Sequence, residues 1–447
     1  VTGARARSVG ALVAAAMLGA STGAFAQREG DAMPSRLCFR ARRDERGASG
    51  AYAMDYERER VEPAGFPIVG GNSDIGAMVG LAGTLSYFRD GCRPYFWNMS
   101  LAIEVSAKSG PTGFELVEQD YRWQMDIVGV LGGRLRLHPA VFVSRTTGLN
   151  YFGVGNGERA RPPEPYTGEP GRFNQFGAWD VWALLEARFM VRRPFSLAMS
   201  MAYHYADPLV YRGSLLAREA EARGPDGGPL LYGVRPLHLW RTSVTAIYDT
   251  RDNELMPRRG LGYGVWASFN RGFPLEADTV YGSVGASLAH YVPIAGPVIF
   301  AGRVVTDWQF GRVPFYDAFR GAGPYLIDMP GGVNAIRGVP SGRYSGPIKA
   351  YANLELRALL ARFTVLRQSF AVGASAFVDV GRLFSDYTFS SSLDGNGPGI
   401  KWGSGVGALV RWGQAAVFRF ELAYSPDAAA ANPGFPFGFY IADHVMF

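Results

Sequence analysis

Lysine is nearly missing from this chain of 447 residues, with three copies, at 108, 349 and 401. The remaining basic residues are arginines scattered along the whole length, not massed as a nucleic-acid interface requires. The formal net charge of +6 therefore names no polyanionic partner. Histidine is limited to His138, His204, His238, His290 and His444, and none stands at metal-ligand spacing from a cysteine or another histidine. No metal or cofactor is expected. Long apolar runs are missing too: nothing beyond the first 26 residues approaches the ~18 uninterrupted apolar residues of a spanning helix. The sequence Gly19-Ala-Ser21-Thr-Gly23 resembles a nucleophile turn but lies in a segment removed on export. Gly153-Val-Gly155-Asn-Gly157 lacks the helix and lysine of a phosphate cradle. Catalysis is not expected.

What is present points to export and to strands. Arg5 and Arg7 precede the apolar run 11–20, and Ala24-Phe25-Ala26 forms a small-x-small cleavage site, so residues 1–26 read as a secretory signal. Ten apolar residues are too few to cross a bilayer as a helix. Residues 27–64 are polar and charged and read as a short periplasmic lead-in. From 65 to 447 the composition changes to many glycines and aromatics, within a chain of 58 glycines and 13% aromatic residues. Mean hydropathy is −0.01, as expected where apolar and polar positions alternate.

That alternation is explicit. Trp240, Thr242, Val244, Ala246 and Tyr248 share one face, with Arg241, Ser243, Thr245 and Asp249 on the other. Residues 261–270 repeat the pattern, Trp266 being the one aromatic on the polar face. Residues 416–424 set Phe418, Phe420 and Leu422 against Arg419 and Glu421. Period two with charge on one side marks strands with a lipid face and a wet face. Counting such segments predicts an all-β fold: a transmembrane antiparallel β-barrel of about sixteen strands. Connections after most odd strands come out long, at 146–176, 206–236, 309–348, 382–399 and 425–436, and those after even strands short. This is the asymmetry of outer-membrane barrels, with both chain ends on the periplasmic side.

Several motifs are similar to those of one family. Gly331-Gly332 through Arg337-Gly338-Val339 resembles the loop-six motif of the BamA/TamA superfamily, the bacterial surface-antigen family of outer-membrane barrels. Phe377-Val-Asp379-Val-Gly381 resembles its lumen strand, and Asn353-Leu-Glu355-Leu-Arg357 the strand joining the two. Asp249-Thr-Arg251-Asp252 with Pro257-Arg-Arg-Gly260 resembles a hairpin common in these barrels, and Asn150-Tyr-Phe-Gly-Val-Gly-Asn156 recurs in compact members. Val339 stands where the family carries an aromatic residue, and the lead-in is too short for POTRA modules.

The resemblance implies an extracellular loop folded into the lumen, where Arg337 meets Asp379 in a bidentate pair with Glu355 as a second acceptor. Phe377 and Gly381 face the same lumen by alternation, and Gly338 lets the loop approach closely. The bland alternative is that Arg337 caps an exposed loop and Asp379 is an ordinary lumen charge. Tyr440, Val445 and Phe447 resemble the terminal signal read by the barrel assembly machinery; the plainer reading is an aromatic girdle at the membrane edge, and both can hold at once. Cys38 and Cys92 fall on the periplasmic side, either as a disulfide or as two thiols. The implied setting is the bacterial outer membrane, in contact with its lipid. The implied work is insertion or translocation of client outer-membrane or secreted proteins. A passive pore and a lipid-homeostasis barrel remain as alternatives.

Overall fold

A computed structural model of the chain describes Cys38 and residues 59–442. It leaves out the short stretches 73–74, 93–94, 111–112, 158–160, 253–255, 274–277, 322–326, 366–367, 396, 413–415 and 432–435. The signal segment, most of the lead-in, and Val445 and Phe447 lie outside the described residues. No helix among those described is long and apolar enough to cross a membrane.

The first half of the sheet comprises β1 (Arg60–Asn72), β2 (Gly76–Phe88), β3 (Trp97–Gly110), β4 (Gly113–Val130), β5 (Leu135–Asn150), β6 (Gln175–Arg192), β7 (Phe195–Leu209) and β8 (Leu237–Asp249). The second comprises β9 (Gly260–Gly272), β10 (Val280–Ala295), β11 (Val298–Gly311), β14 (Ile348–Val365), β15 (Gln368–Phe384), β16 (Lys401–Trp412), β17 (Ala416–Tyr424) and β18 (Phe437–Ala442). Between them, β12 (Arg320–Gly321) and β13 (Ile327–Asp328) make a separate small ladder inside the connection after β11. The other sixteen form one antiparallel ring, each paired with its neighbour in sequence, with β11 beside β14. The fold is an all-β barrel, and the alternation in the sequence is what sets its two faces.

On β8, Trp240 and Val244 are 44% and 45% exposed on the outside, while Arg241, Ser243 and Thr245 are buried inside. Outward aliphatics such as Leu81, Leu360 and Val406 stay uncovered, a cost in water that lipid removes. Trp266 obeys the strand parity and points inward, where its indole N–H donates to Asp307 at 3.0 Å. The polar face keeps this aromatic because it has a buried partner for its one donor.

Long connections leave β5, β7, β11, β15 and β17 at one end, and shorter turns join the strands at the other. The long-loop end carries an apolar cluster built on Tyr151, Phe176, Leu216, Leu237 and Phe315, where loops fold over one another. One boundary differs from the sequence reading: β1 begins at Arg60, inside the stretch assigned to the lead-in. Its charges can join the sheet because they lie at the membrane edge. Arg60 bonds Glu62 at 2.6 Å and lies over the Phe88 ring at 4.0 Å. Gly70 and Gly71 also belong to β1.

The ring closes where β1 meets β18, through two register pairs among the described residues, Gly71 with Ile441 and Asn72 with Tyr440. The other neighbours share between six, at β17–β18, and seventeen, at β14–β15. On the short-turn side, Cys38 and Cys92 are joined as a disulfide, tying the lead-in to the β2–β3 connection. A difference in mobility between reduced and non-reduced protein is expected, and Cys92→Ser should abolish it. Identical migration with and without reductant would show that the bond does not form.

Candidate functional site

The connection 312–347 after β11 turns into the barrel, and its tip is built to be buried. Ile336 N–H bonds the Pro330 carbonyl at 2.8 Å and Gly332 N–H the Val339 carbonyl at 3.0 Å, closing the backbone on itself. Polar main-chain groups are thereby satisfied before the segment meets the wall. Ala335, Ile336 and Val339 are fully buried with Met329, Tyr344, Tyr351 and Leu383. Tyr344 and Tyr351 supply aromatic bulk around Val339.

Arg337 lies at the centre, fully buried. Asp379 on β15 accepts from its backbone N–H at 3.1 Å and, bidentately, from Nε at 2.8 Å and Nη2 at 3.0 Å. Nη1 donates to Glu421 on β17 at 2.7 Å and to Glu355 on β14 at 3.1 Å. Beneath the guanidinium lies the Phe377 ring, 3.4 Å from Cζ to centroid. The two glutamates are held in turn: Arg357 bonds Glu355 and Arg419 bonds Glu421, each at 2.8 Å. Arg337, Arg357 and Arg419 thus face Asp379, Glu355 and Glu421, and the buried charges balance. Asn353 bridges wall and loop, donating to Asp379 at 2.8 Å and to the Ala335 carbonyl at 2.7 Å.

Close backbone approach completes the seat. Gly338 has φ +93° and lies against the end of β17. A methyl group at Gly381 would meet the Ile336 side chain, and one at Gly403 would fall within the shell of the Arg337 carbonyl oxygen. Gly338 N–H donates to the Tyr440 hydroxyl at 2.9 Å, so the loop tip also touches β18. Tyr440 is therefore turned inward and buried, in contact with the loop, while its terminal partners lie outside the described residues.

A second anchorage carries no family motif. Asp317, at the entry of the same connection, accepts from Arg241 on β8 at 2.7 Å and from the Tyr281 hydroxyl on β10. Arg241 lies 3.3 Å from Nδ1 of His204 on β7, and His204 Nε2 is 2.6 Å from Asp180 on β6. The Trp182 ring stacks on His204 at 3.7 Å. The signal available in the sequence was parity alone: these residues fall on inward positions. Glu421 was visible only as a charge on the polar face of β17. The Asn150–Asn156 segment sits above. Asn156 donates to the Gly399 carbonyl at 2.6 Å, and Gly155 N–H bonds the Ser345 carbonyl at 2.7 Å.

Removing one partner from a buried pair strands the other charge, at a cost of about 3–5 kcal/mol. Arg337→Ala and Asp379→Ala should each lower the barrel's urea stability in lipid vesicles by that order, with the double variant far from additive. Gly403→Ala should reproduce the loss with every charge retained. Additive losses, or a neutral Gly403→Ala, would mean that the loop is held otherwise.

A model of the Omp85 superfamily domain matches residues 189–440. No curated protein matches the sequence. Among solved structures, the chain is similar to BamA from Haemophilus ducreyi lacking POTRA domains 1–3, with 15% identity and a TM-score of 0.52, over 87% of this chain and 70% of that one. It is also similar to CdiB from Escherichia coli, with 14% identity and a TM-score of 0.50, over 86% of this chain and 62% of that one. At such identities the two likenesses speak for the fold, and the family model, spanning more than half of the chain, speaks for descent. This chain belongs to the Omp85 superfamily, as an outer-membrane β-barrel protein.

Proposed function

We propose that the protein inserts or translocates client polypeptides at the outer membrane, using the β1–β18 seam as the template for a client strand. The observation that carries this reading is the contact of the buried loop tip with the last described strand, Gly338 N–H to the Tyr440 hydroxyl, at the junction where β18 pairs with β1. The junction of the first and last strands of such a ring is suited to β-augmentation, in which main-chain hydrogen bonds hold the incoming segment and side-chain pockets select it. The loop-six tip reaches this seam through Tyr440, so the charge cluster holds the lumen side while the edge exchanges partners.

The partners in this reading are outer-membrane lipid, a client outer-membrane or secreted protein, and the assembly machinery that inserts the barrel itself. The lumen lock of Arg337, Gly338, Glu355, Phe377, Asp379 and Gly381 has a holding role and no catalytic one. Its worth lies in keeping the barrel shut to solutes while the wall opens sideways.

A cross-linked seam tests this directly. Gly71→Cys and Ile441→Cys, a register pair, would be placed in a Cys38→Ser, Cys92→Ser background and substituted for the native copy in cells. Oxidation should depress specific proteins of the outer-membrane profile or secretome, and reduction should restore them. A profile indifferent to the clamp, with solute permeability as the one property that responds, would identify a passive pore and end this reading.

A further inference from the structure

The lock leaves one sequence motif unused, the segment Asp249–Gly260 joining β8 to β9. It is the longest connection on the short-turn side. Both its aspartates work locally. Asp249 accepts the Arg251 backbone N–H at 3.0 Å and its guanidinium at 3.0 and 2.8 Å. Asp252 Oδ1 accepts the backbone N–H groups of Arg258 and Arg259 at 2.9 and 3.3 Å. Gly260, at φ +107°, lies against the Thr250 carbonyl where a side chain would not fit. The ends of the turn are thus pinned, and what they present is Met256.

Met256 is 5% exposed and packs on Leu409 and Val417, themselves 1% and 2% exposed, with Leu359 at the edge. Leu409 and Val417 are lumen-facing residues of β16 and β17. These strands lie five and six places around the ring from β9. The contact therefore crosses the lumen at the mouth opposite loop six. Methionine suits the task, being long, unbranched and able to repack. Beside it stand two cations: Arg362 on β14 and Arg411 on β16 are both register partners of Ala371 on β15. Residues in register share a face, and Ala371 is buried on the lumen side. Two arginines thus flank an apolar constriction, the combination by which pores dewet when shut and choose anions when open.

We propose that the barrel has a second closure at its periplasmic mouth, in which Met256 seals against Leu409 and Val417, and that Arg362 and Arg411 make this mouth selective for negatively charged solutes. Lumen access is then controlled from both ends, by a charge cluster above and an apolar contact below. The inference concerns solute passage and stands apart from the polypeptide-handling reading.

Ser375 offers a reporter. It faces the lumen at 5% exposure, two residues beyond Gly373, the register partner of Leu409, and so lies behind the closure. In the full-length chain carrying Ser375→Cys, the native cysteines are already bonded to each other. An anionic and a cationic methanethiosulfonate of similar size would be applied, with rates normalised to unfolded protein. Met256→Ala should speed modification several-fold and favour the anionic reagent. Arg362→Glu with Arg411→Glu should invert that preference. Equal rates with and without Met256, or a preference unmoved by charge reversal, would overturn the proposal. Should the cysteine variant fail to fold, reversal potentials in a potassium chloride gradient decide with the native cysteines alone. Chloride preference that is lost on charge reversal supports the proposal, and cation preference or no change refutes it.

Discussion

A guanidinium taken out of water must be given carboxylates, and the barrel is arranged around that requirement. Arg337 is fully buried, and its acceptors come from three strands, β14, β15 and β17. Each carboxylate would itself be costly alone, so Arg357 and Arg419 complete the balance. The cluster therefore fixes more than one loop. A register slip of one residue in any of these strands would turn its carboxylate to lipid and leave the guanidinium short of a partner. Buried pairs add little net stability over apolar packing, but they punish wrong arrangements severely. In a wall of near-identical strands, specificity of register is what a charge cluster supplies best.

The charged anchorages of the loop lie away from the β1–β18 junction. Loop six is anchored to β14, β15 and β17 by Arg337 and to β8 and β10 by Asp317, so it acts as a strut between walls. Its described links to β18 carry no charge: Gly338 N–H bonds the Tyr440 hydroxyl, worth about 1 kcal/mol net, and Val333 packs on the cluster of Phe377, Ala423 and Tyr440. Beside it, β1 and β18 pair through Gly71 with Ile441 and Asn72 with Tyr440 among the described residues. Parting β1 from β18 would leave the charge pairs of Arg337 and Asp317 intact. A lumen plug is compatible with the proposed opening of that junction, since the charge pairs of the plug lie on other strands.

The barrel was legible because its signal is local. Period two can be read within nine residues, as in 416–424, and loop lengths then assign the two ends. The start of β1 was misplaced for the same reason in reverse. Glu59, Arg60 and Glu62 look like a solvated tail, although at the membrane edge such charges cost a strand little. Arg337, Asp379 and Glu355 were legible through a family pattern, whereas Glu421 was not, since nothing in β17 names a partner 84 residues away. The Asp317–Arg241 contact spans 76 residues and exists only once the loop has folded inward. His204 illustrates the limit: five isolated histidines carry no pairing information, yet the ring brings this one to Asp180 and Arg241.

One feature of the wall shows how the cluster could be assembled at all. Three carboxylates, three guanidinium groups and a phenyl ring do not fit side by side on strands spaced about 4.8 Å apart. Three successive inward positions of β16 are Gly403, Gly405 and Gly407, and each is overrun by a neighbour. A side chain at Gly403 would meet the Arg337 carbonyl, one at Gly405 the Phe377 ring, and one at Gly407 Ser375 and Glu421. Glycine in a strand costs about 0.5–1 kcal/mol each in lost freedom. That expense leaves a bare stripe over which β15 and β17 lean their side chains toward Arg337. Filling the stripe would push the carboxylates apart while every acid and base remained in place. The lock is therefore as much a property of missing side chains as of charged ones.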